Sequence, residues 1–236
     1  MRPPGRYAVV AALAVGLASG LLTACSGGDK AAAKAELPPA QRLAAARAAL
    51  EKSPAVSFTL TSEGLPGKAV GVSAAQGTGL FRPPSFKGTL NATIRGVTGT
   101  VEVVAVEQDV YLKFFTPGFN KIDPRTYGAP NPAQLFNTQT GVTSLVSRTT
   151  GLAAGPRTRD GATIVDTYTG KVPGSAVADL FVIGDRSGTF DVTYGVAEDG
   201  DELRSVVLRG PFYAGSTSTY TARLTKLPQA VAIPRP

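Results

Sequence analysis

The sequence predicts an α+β fold in which a curved antiparallel sheet is the main element and a few helices cover one of its faces. Three observations carry this prediction. Polar and apolar residues alternate with a period of two in most segments after Pro54. Short connections rich in turn residues join those segments, as antiparallel neighbours require. Apolar residues three and four positions apart occur only in a few separate stretches, so helices and strands are segregated along the chain.

The N-terminal segment has the pattern of a bacterial lipoprotein signal peptide. Arg2 and Arg6 precede an apolar run over residues 7–22, which at 16 residues is shorter than the ~20 residues of a membrane-spanning helix. Small residues then lead to Cys25, the only cysteine of the chain. We expect cleavage after residue 24 and acylation of Cys25 on sulfur and on its freed amine. This anchor would hold the protein on the extracytoplasmic face of the cell membrane, in the cell envelope.

Residues 25–39 are small, polar and rich in Ala and Gly, which is typical of a flexible tether. Residues 40–236 are then predicted to form a single domain, which is a usual size for one hydrophobic core. Its first element is a helix over residues 40–52, because Leu43, Ala46 and Leu50 fall on one face. Pro54 ends that helix.

A meander of strands is predicted next. The alternating segments are residues 56–60, 70–74, 86–94, 101–106 and 110–114. Turn residues at 64–67 and 107–109 provide the short connections that hairpins need.

The middle of the chain changes character, because residues 115–130 are rich in Pro and Gly. Asn131 and Pro132 are an N-cap and a first helical residue, which predicts a helix reaching Phe136. The other expected elements are a helix over 141–150, a strand over 162–171, a helix over 174–181, and strands over 188–196, 203–208 and 216–224. The total is eight to ten strands and three or four helices.

Composition excludes several classes of chemistry. The chain has no His and no Trp, and its one Met is the initiator. Ser-His-Asp and Cys-His catalytic groups and His-based metal sites therefore cannot be built. A carboxylate-only or Ser-Lys enzyme stays open, although no supporting motif is present. The acidic run over residues 198–202 fits a hairpin turn better than a calcium loop. We predict no enzyme activity, no cofactor and no metal.

The formal charge is +7, and the basic excess lies between residues 40 and 125. In the cell envelope, scattered basic residues meet anionic lipid headgroups and not nucleic acid. Solvated charge that maintains solubility is an equal alternative.

Several stretches resemble one family. They are the segment ending at Cys25, the tether, the first helix, residues 131–136 (NPAQLF), residues 140–145 (TGVTSL), Asp160-Gly161 with residues 170–172, and residues 210–213 (GPFY). Together they resemble the LppX/LprG/LprA/LprF lipoprotein family of mycobacteria and related actinobacteria. The resemblance implies a half-barrel like that of the LolA and LolB lipoprotein carriers, with helices packed on the concave face and enclosing an apolar cavity. It also implies a carrier of acylated lipid (glycolipid, lipoglycan or triacylglycerol) across the envelope, in some members beside a major-facilitator exporter.

Alternation predicts which residues line such a cavity. From the sheet these are Phe58, Leu60, Val70, Val72, Leu90, Ala92, Ile94, Val103 and Leu112; from the helices they are Leu135, Phe136, Val142, Leu145 and Val146. A shift of one residue would turn a strand over. The competing hypothesis is an anchored accessory lipoprotein, with a filled cavity, that binds another envelope protein such as a sensor or a transporter.

One loop, residues 114–119, carries Phe114, Phe115 and Phe119 among turn residues. It is predicted to be a flap at the cavity mouth, a membrane-touching edge, or a segment packed on the rim of the sheet. Nearby, Lys113, Lys121 and Arg125 are candidates to meet phosphate groups.

Overall fold

The computed structural model describes residues 37–67, 69–94, 96–198 and 202–236. For Ile94 it describes the backbone but not the side chain. The predicted signal peptide, Cys25 and nearly all of the tether lie outside these ranges. The division into signal, tether and single domain therefore stays a prediction. In the described ranges, no helix has both the length and the hydropathy needed to cross a membrane.

The main element is one open sheet in which every pairing is antiparallel. Its strands are β1 (Ala55–Glu63), β2 (Gly71–Phe81), β3 (Pro84–Ile94), β4 (Val97–Val106), β5 (Asp109–Lys113), β6 (Asn120–Ile122), β7 (Thr150–Ala154), β8 (Thr158–Asp160), β9 (Thr163–Pro173), β10 (Thr189–Ala197), β11 (Leu203–Gly210) and β12 (Ser218–Leu227). Their spatial order is β6-β5-β4-β3-β2-β1-β12-β11-β10-β9-β7, with β8 paired to β9. Hairpins join most neighbouring strands, a helix lies between β9 and β10 along the chain, and β1 joins β12 near the centre.

Five helical segments lie in the described chain. They are α1 (Pro39–Glu51), a first 3₁₀ helix (Pro124–Tyr127), a second (Pro132–Phe136), a third (Val142–Arg148), and α2 (Gly174–Phe181). The predicted N-cap is confirmed, because the Asn131 side chain accepts a hydrogen bond of 2.9 Å from the Ala133 amide. Both central helices are 3₁₀ helices, whose hydrogen bonds have poorer geometry than those of an α-helix.

The helices cover one face of the sheet, which we call the inner face. α1 buries Leu43, Ala46 and Leu50 completely, as its apolar spacing predicts. The second 3₁₀ helix packs on β2, β3 and β4, whereas α2 packs on β9 and β10. Most buried apolar side chains therefore form one core between the inner face and this covering layer.

A smaller apolar cluster lies on the outer face. Ile233 of the C-terminal tail packs there with Ala55, Leu80, Val104 and Val106. Arg235, two residues on, pairs with Glu107 and Asp109 at 2.9 Å each. The tail thus crosses the outside of the β1–β5 half.

The predicted fold class is confirmed, and the strand count is the main correction. The described residues form twelve strands and not eight to ten. β6, β7 and β8 were not predicted because they are three to five residues long and carry little period-two signal. The centre of the acidic run over residues 198–202 lies outside the described residues, so its turn stays a prediction.

Candidate functional site

Two apolar cavities lie side by side between the inner face and its covering layer. Cavity 1 is bounded by β1, β2, β3 and Tyr220 of β12, and cavity 2 by β2 to β6. They share Val72, Leu90, Pro130 and Pro132. Measured as the space open to the centre of a water-sized sphere, each has a volume of about 30 Å³, room for two or three waters at about 10–15 Å³ each. The cavities are narrow clefts, not a wide chamber.

Eight of the predicted cavity residues line these clefts. Phe58, Leu60 and Leu135 line cavity 1; Ala92, Val103 and Leu112 line cavity 2; and Val72 and Leu90 line both. Whether they contact a ligand stays a prediction. The predicted strand residues lie on the inner face because side chains alternate with a period of two, which turns one apolar side of each strand inward.

The remaining predicted residues have other surroundings. Val70 precedes β2 and is 49% exposed, so it is a rim residue and not a lining one. Val142, Leu145 and Val146 belong to the third 3₁₀ helix, which packs on α1, α2 and β9 rather than on the strands around the cavities. The side chain of Ile94 lies outside the described residues.

Phe136 belongs to a cluster of aromatic rings that fills one end of the space. Its ring lies 5.3 Å from that of Phe58, 5.9 Å from that of Phe81 and 6.0 Å from that of Phe86, measured between centroids. Gly79 makes room for it, since a Cβ there would collide with the Phe136 ring. Rings packed at these distances add attraction beyond their buried area. Phe136 therefore closes the end of cavity 1 that Phe58 and Phe86 line.

A pair of tyrosines closes the opposite end, and we call it the tyrosine clasp. The hydroxyl of Tyr213 donates to the Val70 carbonyl and that of Tyr220 donates to the Val72 carbonyl, both at 3.2 Å. The two hydroxyl oxygens also lie 3.2 Å apart. Burial, chiefly, raises the pKa of Tyr220, and the neighbouring Tyr213 hydroxyl adds to the shift. The clasp ties the start of β2 to β12 across the end of β1.

Sequence reasoning missed the segment that covers both cavities. Gly128, Ala129, Pro130 and Pro132 lie over the sheet and line the cavities, and we call residues 128–132 the covering segment. The Pro and Gly content of this region indicated a break in the strands but not its position. Ala75 was also missed, because a β-bulge between Val72 and Ala74 changes which residues of β2 face inward.

The aromatic loop 114–119 lines neither cavity, so the flap prediction is wrong for this structure. Phe114 packs against the main core and Phe119 against the outer cluster, which agrees with packing on the rim. Phe115 is 89% exposed.

Two of the nearby basic residues have acidic partners. Lys113 pairs with Glu102 at 2.9 Å and Lys121 pairs with Asp109 at 2.6 Å. The Asp109 carboxylate raises the pKa of Lys121, and Lys121 with Arg235 lowers the pKa of Asp109.

Nothing in the described residues suggests a metal centre, since no group of three or more Cys, His, Asp or Glu is placed to hold an ion. The site therefore offers apolar surface and backbone polar groups at its ends. Such a surface can bind an apolar ligand by its shape.

The comparison with protein families settles the relationship. The model of the LppX_LprAFG lipoproteins matches residues 38–232. The chain belongs to this family. The LppX_LprAFG match covers α1, the whole sheet and the covering segment.

Two solved structures share the LppX_LprAFG fold with this chain. LppX of Mycobacterium tuberculosis is 19% identical with a TM-score of 0.62, over 83% of this chain and 97% of LppX. LprF of Mycobacterium bovis is 12% identical with a TM-score of 0.68, over 84% of this chain and 96% of LprF. At such identities the likeness concerns the fold alone. A comparison with curated proteins finds no matching sequence.

Proposed function

We propose that the protein is a membrane-anchored lipoprotein that binds acylated lipid in its apolar cavities and carries it across the cell envelope. The observation that carries this proposal is the pair of adjacent apolar cavities with a shared wall. Removing an acyl chain from water contributes about 0.8 kcal/mol per methylene. Two adjacent apolar clefts suit a lipid with more than one chain, such as a glycolipid, a lipoglycan or a triacylglycerol.

The narrow cavities require the covering layer to move when a lipid enters. Two long-range contacts hold the second 3₁₀ helix and its cap near the sheet. The side chains of Asn131 and Gln134 each donate a 2.9 Å hydrogen bond to the Glu107 carbonyl. Each such bond is worth only ~0.5–1.5 kcal/mol net, so burial of a few methylenes offsets their loss.

Acylation of Cys25 would determine where in the cell this function takes place. Acyl chains on Cys25 would hold the protein at the extracytoplasmic surface of the cell membrane, where membrane lipid is available. A major-facilitator exporter would be a partner in that setting. The absence of His from the sequence and the apolar lining of the cavities support a carrier and not an enzyme.

A second candidate is an anchored accessory lipoprotein that binds another envelope protein. The observation that favours it is the cavity volume of about 30 Å³, which leaves no room for an acyl chain unless the covering layer moves.

Identification of bound lipid distinguishes the two candidates. Full chain purified from membranes of a lipid-rich actinobacterial host would be extracted with organic solvent and analysed by mass spectrometry. Leu90 lines both cavities, so Leu90→Trp would place a large ring in the space that an acyl chain needs. Thr89→Trp is the matched control, because it adds the same ring at the neighbouring position, which faces a groove on the outer side of the sheet.

The carrier predicts about one acylated lipid per protein in the wild type and in Thr89→Trp, and a large loss in Leu90→Trp. Urea unfolding would establish that both variants are folded. Lipid-free protein of normal stability in all three samples would contradict the carrier and favour the protein-binding accessory.

A further inference from the structure

Three exposed apolar side chains lie at one end of strands β2 to β5. The register places the start of β2, the end of β3, the start of β4 and the end of β5 at this same end of the sheet. Val70 precedes β2, Val97 begins β4, and Phe115 follows β5 by two residues. Their side chains are 49%, 53% and 89% exposed. We call these three residues the apolar edge, which extends over roughly 15 Å because neighbouring strands lie about 4.8 Å apart.

An ordered turn holds Phe115 in solvent. Its backbone φ is 53°, a left-handed conformation that is unfavourable for a bulky residue. The ring of Phe114, which packs against the main core, lies 4.2 Å from that of Phe115 between centroids. The Thr116 hydroxyl donates to the Gly118 carbonyl at 2.8 Å, and the Asn120 side-chain amide donates to the Thr116 hydroxyl at 3.2 Å. The fold thus maintains a strained turn that keeps an aromatic ring exposed, which points to a role for that ring outside the core.

The charges of the connections at this end favour an anionic surface. Residues 64–70, 95–96 and 114–119 include two basic residues and no acidic one. At the opposite end of β4 and β5, the turn between the strands carries Glu107 and Asp109. Near an anionic bilayer, a carboxylate is repelled, whereas an apolar side chain gains from burial at the boundary between headgroups and acyl chains. Only the end with the apolar edge therefore has both properties that such a bilayer requires.

The size of the apolar edge fits a bilayer better than a protein partner. A stable protein interface buries about 800 Å² on each side. A single aromatic side chain offers about 150–250 Å², and the two valines of the edge are only half exposed. Side chains on separate connections can each enter a bilayer surface by themselves, because lipid adapts to their spacing.

We propose that the apolar edge docks on the surface of an anionic lipid bilayer and thereby orients the protein. The predicted tether over residues 25–39 would reach about 20 Å, so acylation of Cys25 would keep the protein near the membrane without deciding which end faces it. Docking turns the clasp end toward the bilayer, since the Val70 carbonyl accepts the hydrogen bond from Tyr213. Gly71, the next residue, lines cavity 2.

This orientation gives the cavities a route to the membrane. A lipid that leaves cavity 2 beside the start of β2 would enter the bilayer without crossing water. That step rests on the proposed function, whereas docking itself does not depend on a bound lipid.

A tryptophan at the edge reports docking directly, because the chain has no Trp of its own. Full chain purified from membranes, carrying Phe115→Trp or Val97→Trp, would be reconstituted into vesicles of phosphatidylcholine and phosphatidylglycerol. Part of the phosphatidylcholine would be brominated near the top of its acyl chains, since bromine quenches a ring only in close contact. Gln108→Trp is the matched control, because it places the same ring at an exposed position in the turn at the opposite end of β4 and β5.

Brominated lipid should quench the fluorescence of Phe115→Trp and Val97→Trp strongly and that of Gln108→Trp hardly at all. Adding Phe115→Ser to Val97→Trp should lower the ratio of docked to undocked protein about tenfold or more, because an aromatic side chain no longer leaves water. Ile164→Ser in the same background removes an exposed apolar residue of β9 and should leave the ratio unchanged. Urea unfolding would show that the variants are folded.

Two results would overturn docking by the apolar edge. One is equal quenching, or no quenching, of all three single-tryptophan proteins. The other is protection of the Phe115→Trp ring from dissolved iodide without quenching by brominated lipid, which would show that a protein partner or a second copy covers the edge. Lipid-free wild type in the extraction experiment would contradict the carrier and leave the result with brominated lipid valid, so the two proposals fail separately.

Discussion

At the residue scale, Tyr194 shows how a buried polar group is tolerated in this core. Its side chain is fully buried on β10, and its hydroxyl lies 2.7 Å from that of Thr149. Burial raises the pKa of Tyr194 well above its ordinary value, and the bond to Thr149 only partly opposes this effect. The folded protein thus favours the protonated phenol.

A pH dependence of stability follows. A group whose pKa is raised by folding contributes stability below its unfolded pKa of about 10, and this contribution is lost as the pH rises further. We expect the free energy of unfolding in urea to fall between pH 9.5 and pH 11.5. In Tyr194→Phe the fall should be smaller, because one buried phenol no longer resists ionisation. Parallel curves for the two proteins would contradict this assignment.

At the element scale, two glycines allow close approach of β2 and β3. Gly77 and Gly88 lie directly opposite each other in the register of the two strands. A Cβ on Gly88 would collide with the Gln76 carbonyl oxygen and the Gly77 Cα. Backbone atoms cannot rotate away as a side chain can, so the inner face at this place needs two residues without side chains.

Gly88→Ala should therefore destabilise the protein by about 1–3 kcal/mol, the usual cost of overpacking. Gly118→Ala is the matched control, because a Cβ there has no atom within 4 Å. Its unfolding free energy should change by less than ~0.5 kcal/mol. Urea unfolding of both variants gives the comparison, and equal effects would show that the close approach of the strands is unimportant.

The prediction of individual elements succeeded where one face of a segment is apolar. α2 was expected over residues 174–181 and is found as Gly174–Phe181. The β-bulge near Val72 could not be predicted, because it depends on the pairing of β2 with β3. The short strands β7 and β8 owe their place to the long strand β9 that they flank.

At the scale of the whole molecule, the C-terminal tail contacts residues of the sheet that are far from it in sequence. Ile233 is 8% exposed against the outer cluster, whereas Arg235 makes solvent-exposed ion pairs with Glu107 and Asp109. Exposed ion pairs are worth ~0–1 kcal/mol, and truncation of a buried Ile costs ~2 kcal/mol or more. Apolar burial should therefore dominate the attachment of the tail.

We expect Ile233→Ala to lower the free energy of unfolding by ~2 kcal/mol and Arg235→Gln by less than ~1 kcal/mol. Equilibrium unfolding in urea at low and at high salt measures both. Only the Arg235 effect should shrink with salt, because screening weakens exposed ion pairs. A larger effect for Arg235→Gln than for Ile233→Ala would reverse the assignment.

Period-two alternation alone was enough to place Phe58, Leu60, Leu90 and Val103 on the inner face, because the pleat of a strand links sequence position to direction. The open antiparallel fold followed from the same signal together with the short turns. Alternation states only which way a side chain points and not what lies opposite. The covering segment lies over strands that are distant in sequence, and the tyrosine clasp joins residues near positions 70 and 220, so only tertiary packing could bring them together.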